Sequence, residues 1–113
     1  MFQDWHLIPY KTQYTEHRYR GGPPPMRLRT MQMAHEGRAR REGVPYEQVD
    51  LRLVYTKTAG RCGICGNAVE FETFTVDHVV PMSRGGHHVF SNLQPAHRSC
   101  NSQKGNRLIG VRS

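Results

Sequence analysis

The sequence predicts a small α+β domain, with N-terminal helices ahead of a β-hairpin and a closing helix, and a bound metal as its staple. Three observations lead to that class. Two stretches, Met26 to Glu42 and the residues after Asp50, have helical character. The run from Val69 to Val76 is rich in β-branched and aromatic residues. The pairs Cys62-x-x-Cys65 and His97-x-x-Cys100 stand on either side of the expected hairpin.

Residues 1–25 read as an arm and linker. Phe2, Trp5, Tyr10, Tyr14 and Tyr19 are mixed with His17, Arg18 and Arg20, and the stretch breaks at Gly21-Gly22-Pro23-Pro24-Pro25, whose prolines cannot donate backbone hydrogen bonds. The domain proper is expected over 26–113. From Met26 to Glu42 the only breaker is Gly37, and Gly43 with Pro45 supplies a stop, so a helix is predicted. Its polar face carries Arg27, Arg29, Arg38, Arg40 and Arg41, which suits phosphates or plain solvent.

A second, short helix is predicted from Asp50, a good N-cap, to Thr58, with Gly60 ending it and Leu51, Val54, Tyr55 and Thr58 on one stripe. Val69 to Val76 should be a strand, Ser83 to His88 a loop, and Asn92 to Ala96 a second strand. Ser99 can cap a last helix beginning near Cys100 and carrying Lys104 and Arg107. No internal repeat is visible.

Size explains why a metal is expected. A chain of 113 residues with 36% hydrophobic residues allows one domain plus arms, but its core is small. Three cysteines cannot close a disulfide framework, so metal binding in a reducing compartment is the better use for them. No apolar run approaches the ~18 residues a membrane span needs. The first residues carry Asp4 and His6 and no basic n-region, so a cytoplasmic protein is expected. The formal charge of +7 favours a polyanion, with nucleic acid leading.

Two thiolates two residues apart in a tight turn can face one ion, and His97-Arg98-Ser99-Cys100 repeats that spacing with an imidazole and a third thiolate. Together Cys62, Cys65, His97 and Cys100 make a Cys3His set for structural zinc. With all four positions filled by protein, that zinc should be non-catalytic. A redox pair at Cys62 and Cys65 would need neither the distant His-x-x-Cys nor the charge.

The segments Thr75-Val76-Asp77-His78-Val79-Val80-Pro81, Ser91-Asn92-Leu93-Gln94 and Cys100-Asn101-Ser102-Gln103-Lys104-Gly105, in this order and interleaved with the zinc half-sites, resemble the HNH endonuclease family over roughly the C-terminal half of the chain. The resemblance implies a ββα-metal core and metal-dependent hydrolysis of DNA. It also implies settings in which small free-standing members occur: bacteriophages beside the packaging machinery, mobile elements and restriction systems. A phage packaging protein or another targeting partner is therefore an expected associate, with no membrane. Asn101 stands where the third signature residue is often histidine, an HNN variant that some CRISPR effector nucleases share. By the same resemblance, Asn92 braces the loop between the strands and helps orient the base.

The chemistry fits these residues. Hydrolysis needs a base for the attacking water, and the neutral imidazole of His78 is basic and mostly unprotonated near neutral pH. Charge developing on the phosphate needs a hard cation with oxygen ligands, which Asp77 and Asn101 supply; an amide oxygen in place of imidazole favours Mg2+ or Mn2+. Arg84, Arg98, Lys104 and Arg107 are the expected phosphate contacts. His87 and His88 read as spacers or weak DNA contacts, and Gly85 and Gly86 as a tight path beside the DNA backbone. Asp77 and His78 are adjacent, so the strand must end or twist there for both to flank one phosphate. The competing reading is a zinc-stabilised DNA-binding module that does not cut.

Overall fold

The structure, a computed structural model, describes residues 22–108, so the expected arm lies outside the described residues up to position 21. Helix α1 spans Met26–Glu42, and Gly43 ends it in the left-handed conformation (φ 75°) with its N–H on the carbonyls of Ala39 and Arg40. Its inward stripe is Leu28, Gln32, His35 and Ala39, at helical spacing. Two of these four are polar, which matters for the site.

Helix α2 spans Leu51–Lys57. Asp50 caps it by accepting from the Arg52 N–H at 3.1 Å, and the two side chains form a buried ion pair at 2.7 Å. Leu51 and Val54 join Leu28, Val49, Val69, Phe74, Val76, Leu93 and Ala96 in a single core. At the far end of α2, the Lys57 ammonium donates to the carbonyls of Phe90 and Leu93, each at 2.7 Å, and lies 4.5 Å above the Phe90 ring, tying α2 to the approach of the second strand.

The first strand is shorter and later than the sequence predicts. β1 covers Thr75–His78, while Glu70 to Phe74 turns, with the N–H groups of Thr73 and Phe74 both on the Glu70 carbonyl. The reason is packing. Phe71 and Phe74 both close on Tyr55 of α2, with ring centroids 5.2 and 5.0 Å away, which an alternating strand could not do. Strand β2, Leu93–Ala96, pairs antiparallel with β1, setting Thr75 against Ala96, Asp77 against Gln94 and His78 against Leu93.

The last helix, α3, covers Arg98–Lys104 and begins ahead of the expected start near Cys100; His97, not Ser99, is its N-cap, and no side chain caps it. The order α1, α2, β1, β2, α3 is a small α+β fold in which a two-stranded hairpin is followed by a helix, consistent with the ββα-metal arrangement. Between the strands, Gly86 approaches its own chain: a Cβ there would lie 1.7 Å from the Val80 carbonyl oxygen. That glycine is required by the fold of the loop, not by closeness to DNA. No described helix is long and apolar enough to cross a membrane.

Candidate active site and metal centre

The zinc half-sites meet. The turn after Cys62 folds back through the bonds Gly66 N–H to Cys62 O and Cys62 N–H to Asn67 O, and Gly63 N–H reaches Pro95 O of β2, so both half-sites are held on one corner. The ligand atoms of Cys62, Cys65, His97 and Cys100 all lie within 4.8 Å of one another. His97 Nδ1 is 3.5 Å from Cys65 Sγ and 3.7 Å from Cys100 Sγ. Sulfur and nitrogen on opposite arms of a tetrahedral zinc, at ~2.3 and ~2.05 Å, stand about 3.6 Å apart.

The protonation states agree with that geometry. His97 Nε2 contacts the Ala68 carbonyl at 2.9 Å, and a carbonyl only accepts, so Nε2 carries the proton and Nδ1 keeps its lone pair for the metal. Burial pushes the Cys62 thiol up, but the backbone N–H groups of Cys65, His97 and Ile64 outweigh it and hold the group at about 6. Burial, with hydrogen bonds to and charge on Cys65 and Cys62, pushes Cys100 up to about 11. A cation among the three sulfurs would relieve the charge that pushes Cys100 up, and a Cys3His set matches zinc. The same corner sets the start of α3, because the His97 N–H is held on Cys62 Sγ at 3.4 Å.

Asp77 and His78 take opposite sides of β1, as strand alternation requires, and the strand ends at His78. Asp77, 3% exposed, faces α3. Lys104 Nζ lies 2.9 Å from each of its oxygens, and Gln94, its cross-strand neighbour, donates to Oδ2 at 2.9 Å. The same ammonium donates to the carbonyls of His78 at 2.7 Å and Val79 at 3.2 Å. Lys104 is 2% exposed, so the expectation that it contacts phosphate is corrected: it is the buried counter-ion of Asp77.

His78 faces the other way, toward α1. Its Nε2 is 2.9 Å from His88 Nδ1, and its ring meets His35 edge to face at 5.0 Å between centroids. Burial, followed by the charges of His35, His88, Arg38 and Lys104, lowers His78 to about 3, so the ring is neutral at pH 7. His88 is fully buried, which corrects its reading as a spacer or DNA contact, whereas His87 is exposed. The His88 backbone is pinned to the segment after α1 by Glu47 N–H to His88 O and His88 N–H to Pro45 O.

Asn92 and Asn101 occupy different places. Asn92 accepts from Val80 N–H at 2.9 Å and donates to the carbonyls of Val80 and His87 at 3.0 and 2.9 Å, clamping both ends of the loop between the strands. Asn101 Nδ2 donates to Thr75 Oγ1 and the Val76 carbonyl, both at 3.2 Å. That leaves Oδ1 without a partner among the described residues. Asp77, His78 and Asn101 line one open cleft of about 460 Å³, together with His35, Arg38 and Arg98.

Of the expected basic contacts, Arg98 lines this cleft and is exposed. Arg84 is also exposed but donates to the Asn106 carbonyl at 2.6 Å. Arg107 folds back on the carbonyls of Gln103 and Lys104. Sequence reasoning missed His35 and Gln32 as neighbours of the site, and it named Arg38 only among the α1 arginines suited to phosphates or solvent. The signal was there in the inward stripe of α1, where a helix that buries Gln32 and half-buries His35 beside Leu28 and Ala39 must give those polar groups partners.

Residues 62–107 match the family model described as HNH endonuclease. A comparison with curated proteins found no match.

Proposed function

With residues 62–107 forming an HNH endonuclease-type unit, we propose that this chain is a metal-dependent DNA endonuclease in which His78 is the general base and Asp77 and Asn101 hold a divalent cation. HNH nucleases act on DNA, and a net charge of +7 agrees with that partner. The observation that carries the reading is the shared cleft, lined by His78 and Asp77 from the two sides of β1 and by Asn101 from α3, beside Arg38 and Arg98.

The donor set fits a hard, hydrated cation. Asn101 Oδ1 has no protein partner among the described residues, and Asp77 Oδ1 accepts only from Lys104, where a carboxylate oxygen can accept twice. Held by Asp77 and Asn101, Mg2+ or Mn2+ would supply positive charge against the charge developing on the phosphate. The remaining roles fall to the chain. His78 takes the proton from the attacking water as the new P–O bond forms and the scissile one breaks. Lys104 and Gln94 fix the Asp77 carboxylate in place, Asn92 holds the loop that follows His78, and Arg98 with Arg38 positions the backbone. Arg84 and Arg107 extend the basic rim.

One observation favours the second reading, a zinc-stabilised DNA-binding module: Asp77 already has a cation, Lys104, on both oxygens. The experiment is incubation of the zinc-loaded protein with supercoiled plasmid in EDTA, Mg2+, Mn2+ and Ni2+. Nicking restored by Mg2+ or Mn2+ supports the nuclease. Binding without cleavage in any metal supports the module.

A further inference from the structure

A histidine has to carry its proton on one particular nitrogen to serve as a base, and the residues around His78 decide which. The order of donors starts at Gln32 on α1. Its Nε2 is 2.9 Å from the backbone carbonyl of Glu47 and 2.8 Å from a carboxylate oxygen of Glu36, groups that accept and do not donate. The amide is therefore oriented with Oε1 outward, and that oxygen lies 2.8 Å from His88 Nε2. An amide oxygen only accepts, so His88 Nε2 carries a proton. The neutral His88 then has a bare Nδ1, and the 2.9 Å contact with His78 Nε2 requires His78 to donate. His78 Nδ1 is left with its lone pair and makes no hydrogen bond among the described residues.

Resting on the nuclease reading above, we infer that Gln32 and His88 are positioning residues: the chain Glu47 carbonyl, Gln32, His88, His78 fixes His78 as the Nε2–H tautomer and leaves Nδ1 as the nitrogen that receives the proton of the attacking water. The consequence is that α1, outside the matched segment 62–107, is part of the nuclease machinery. It supplies the residue that orients the base, in the way an acceptor behind a catalytic imidazole selects its tautomer.

The three imidazoles of His35, His78 and His88 have ligand atoms within 4.8 Å of one another, an arrangement open to a transition-metal ion. The geometry favours the hydrogen-bonded chain. Two nitrogens across a tetrahedral zinc, each ~2.05 Å from it, stand about 3.3 Å apart, wider than the 2.9 Å between His78 and His88. The rings of His35 and His88 are also stacked, 24° from parallel with centroids 5.3 Å apart, so their in-plane lone pairs do not converge.

The test is imidazole 15N NMR on the full chain with its zinc bound at neutral pH, with the His78 signals assigned by comparison with His78→Gln. The expected pattern for His78 is a protonated Nε2 and an unprotonated Nδ1. In Gln32→Leu, His88 loses its acceptor and the His78 pattern moves toward Nδ1–H, while kcat for plasmid cleavage falls roughly tenfold or more with little change in KM. A His78 protonated at Nδ1 in the wild type, a metal-coordinated pattern at His78 and His88, or a pattern untouched by Gln32→Leu overturns the inference. If Gln32→Leu does not fold, the wild-type pattern alone decides. A plasmid left uncut by a protein showing the expected tautomer counts against the nuclease and leaves the donor order standing.

Discussion

Lys104 Nζ sits 2.9 Å from both carboxylate oxygens of Asp77, with each side chain at most 3% exposed, so the helix after the hairpin is joined to the first strand by a buried ion pair. Removing one partner strands the other charge away from water, which costs about 3–5 kcal/mol where pairs of this kind have been broken. Lys104→Met should lower stability in urea by that order. The double variant Lys104→Met with Asp77→Asn should recover much of the loss, because neither charge remains. Equal stability of Lys104→Met and wild type would show that the pair does not hold the hairpin to α3.

Zinc removal should unfold the hairpin corner before anything else. The sulfurs of Cys62, Cys65 and Cys100 with His97 Nδ1 converge between the turn before β1 and the start of α3, where a bound zinc would act as a staple whose binding energy is folding energy. Metal analysis should find one zinc per chain bound at this corner. A strong chelator should abolish cooperative thermal unfolding, and Cys65→Ser should do so in part. A chelated protein that melts with an unchanged midpoint would contradict the staple.

Acid should weaken the fold through the histidine cluster. Burial lowers His35 to about 4, with Arg38 adding to the effect, and lowers His88 to about 4, with His35 adding. In the unfolded chain both protonate near pH 6.5. Between roughly pH 6.5 and 4 the unfolded state binds more protons, so stability is fully present above 6.5 and is lost as pH falls through that window. Each histidine contributes up to about 1.4 kcal/mol per pH unit to the slope. Urea denaturation from pH 7.5 to 5, with zinc content checked at each point, should show the decline, and His35→Gln should make it shallower.

Asn92→Ala removes three hydrogen bonds that clamp the loop from Val80 to His87, and leaves the N–H of Val80 and the carbonyls of Val80 and His87 to find water. A loss of about 1–3 kcal/mol is expected. Cleavage should fall further than stability does, because His88, the acceptor for His78 Nε2, sits at the end of the same loop and is disturbed with it. A variant with wild-type cleavage would separate this clamp from the base.

Local signals made much of this legible. The bounds of α1 followed from Pro25 and Gly43, and the cap of α2 from Asp50. The paired spacings of Cys62, Cys65, His97 and Cys100 told which residues would converge, because a tetrahedral ion needs ligands of that kind in turns of that size. What stayed hidden depended on distant partners. Nothing near Lys104 in sequence says that its ammonium turns inward to Asp77, and nothing beside His88 says that Gln32, 56 residues earlier, will accept a hydrogen bond from its ring. The strand expected at Val69 gave way to a turn because Phe71 and Phe74 pack on Tyr55, a tertiary preference that alternation alone does not carry.

The most direct measurement is a paired one on His78→Ala: DNA affinity by titration at fixed salt, and cleavage rate with saturating protein in Mg2+ or Mn2+. Affinity should stay within a few-fold of wild type while the cleavage rate falls by roughly 10²-fold or more. Wild-type cleavage by the variant, or no cleavage by the parent protein in either metal, would contradict His78 as the general base.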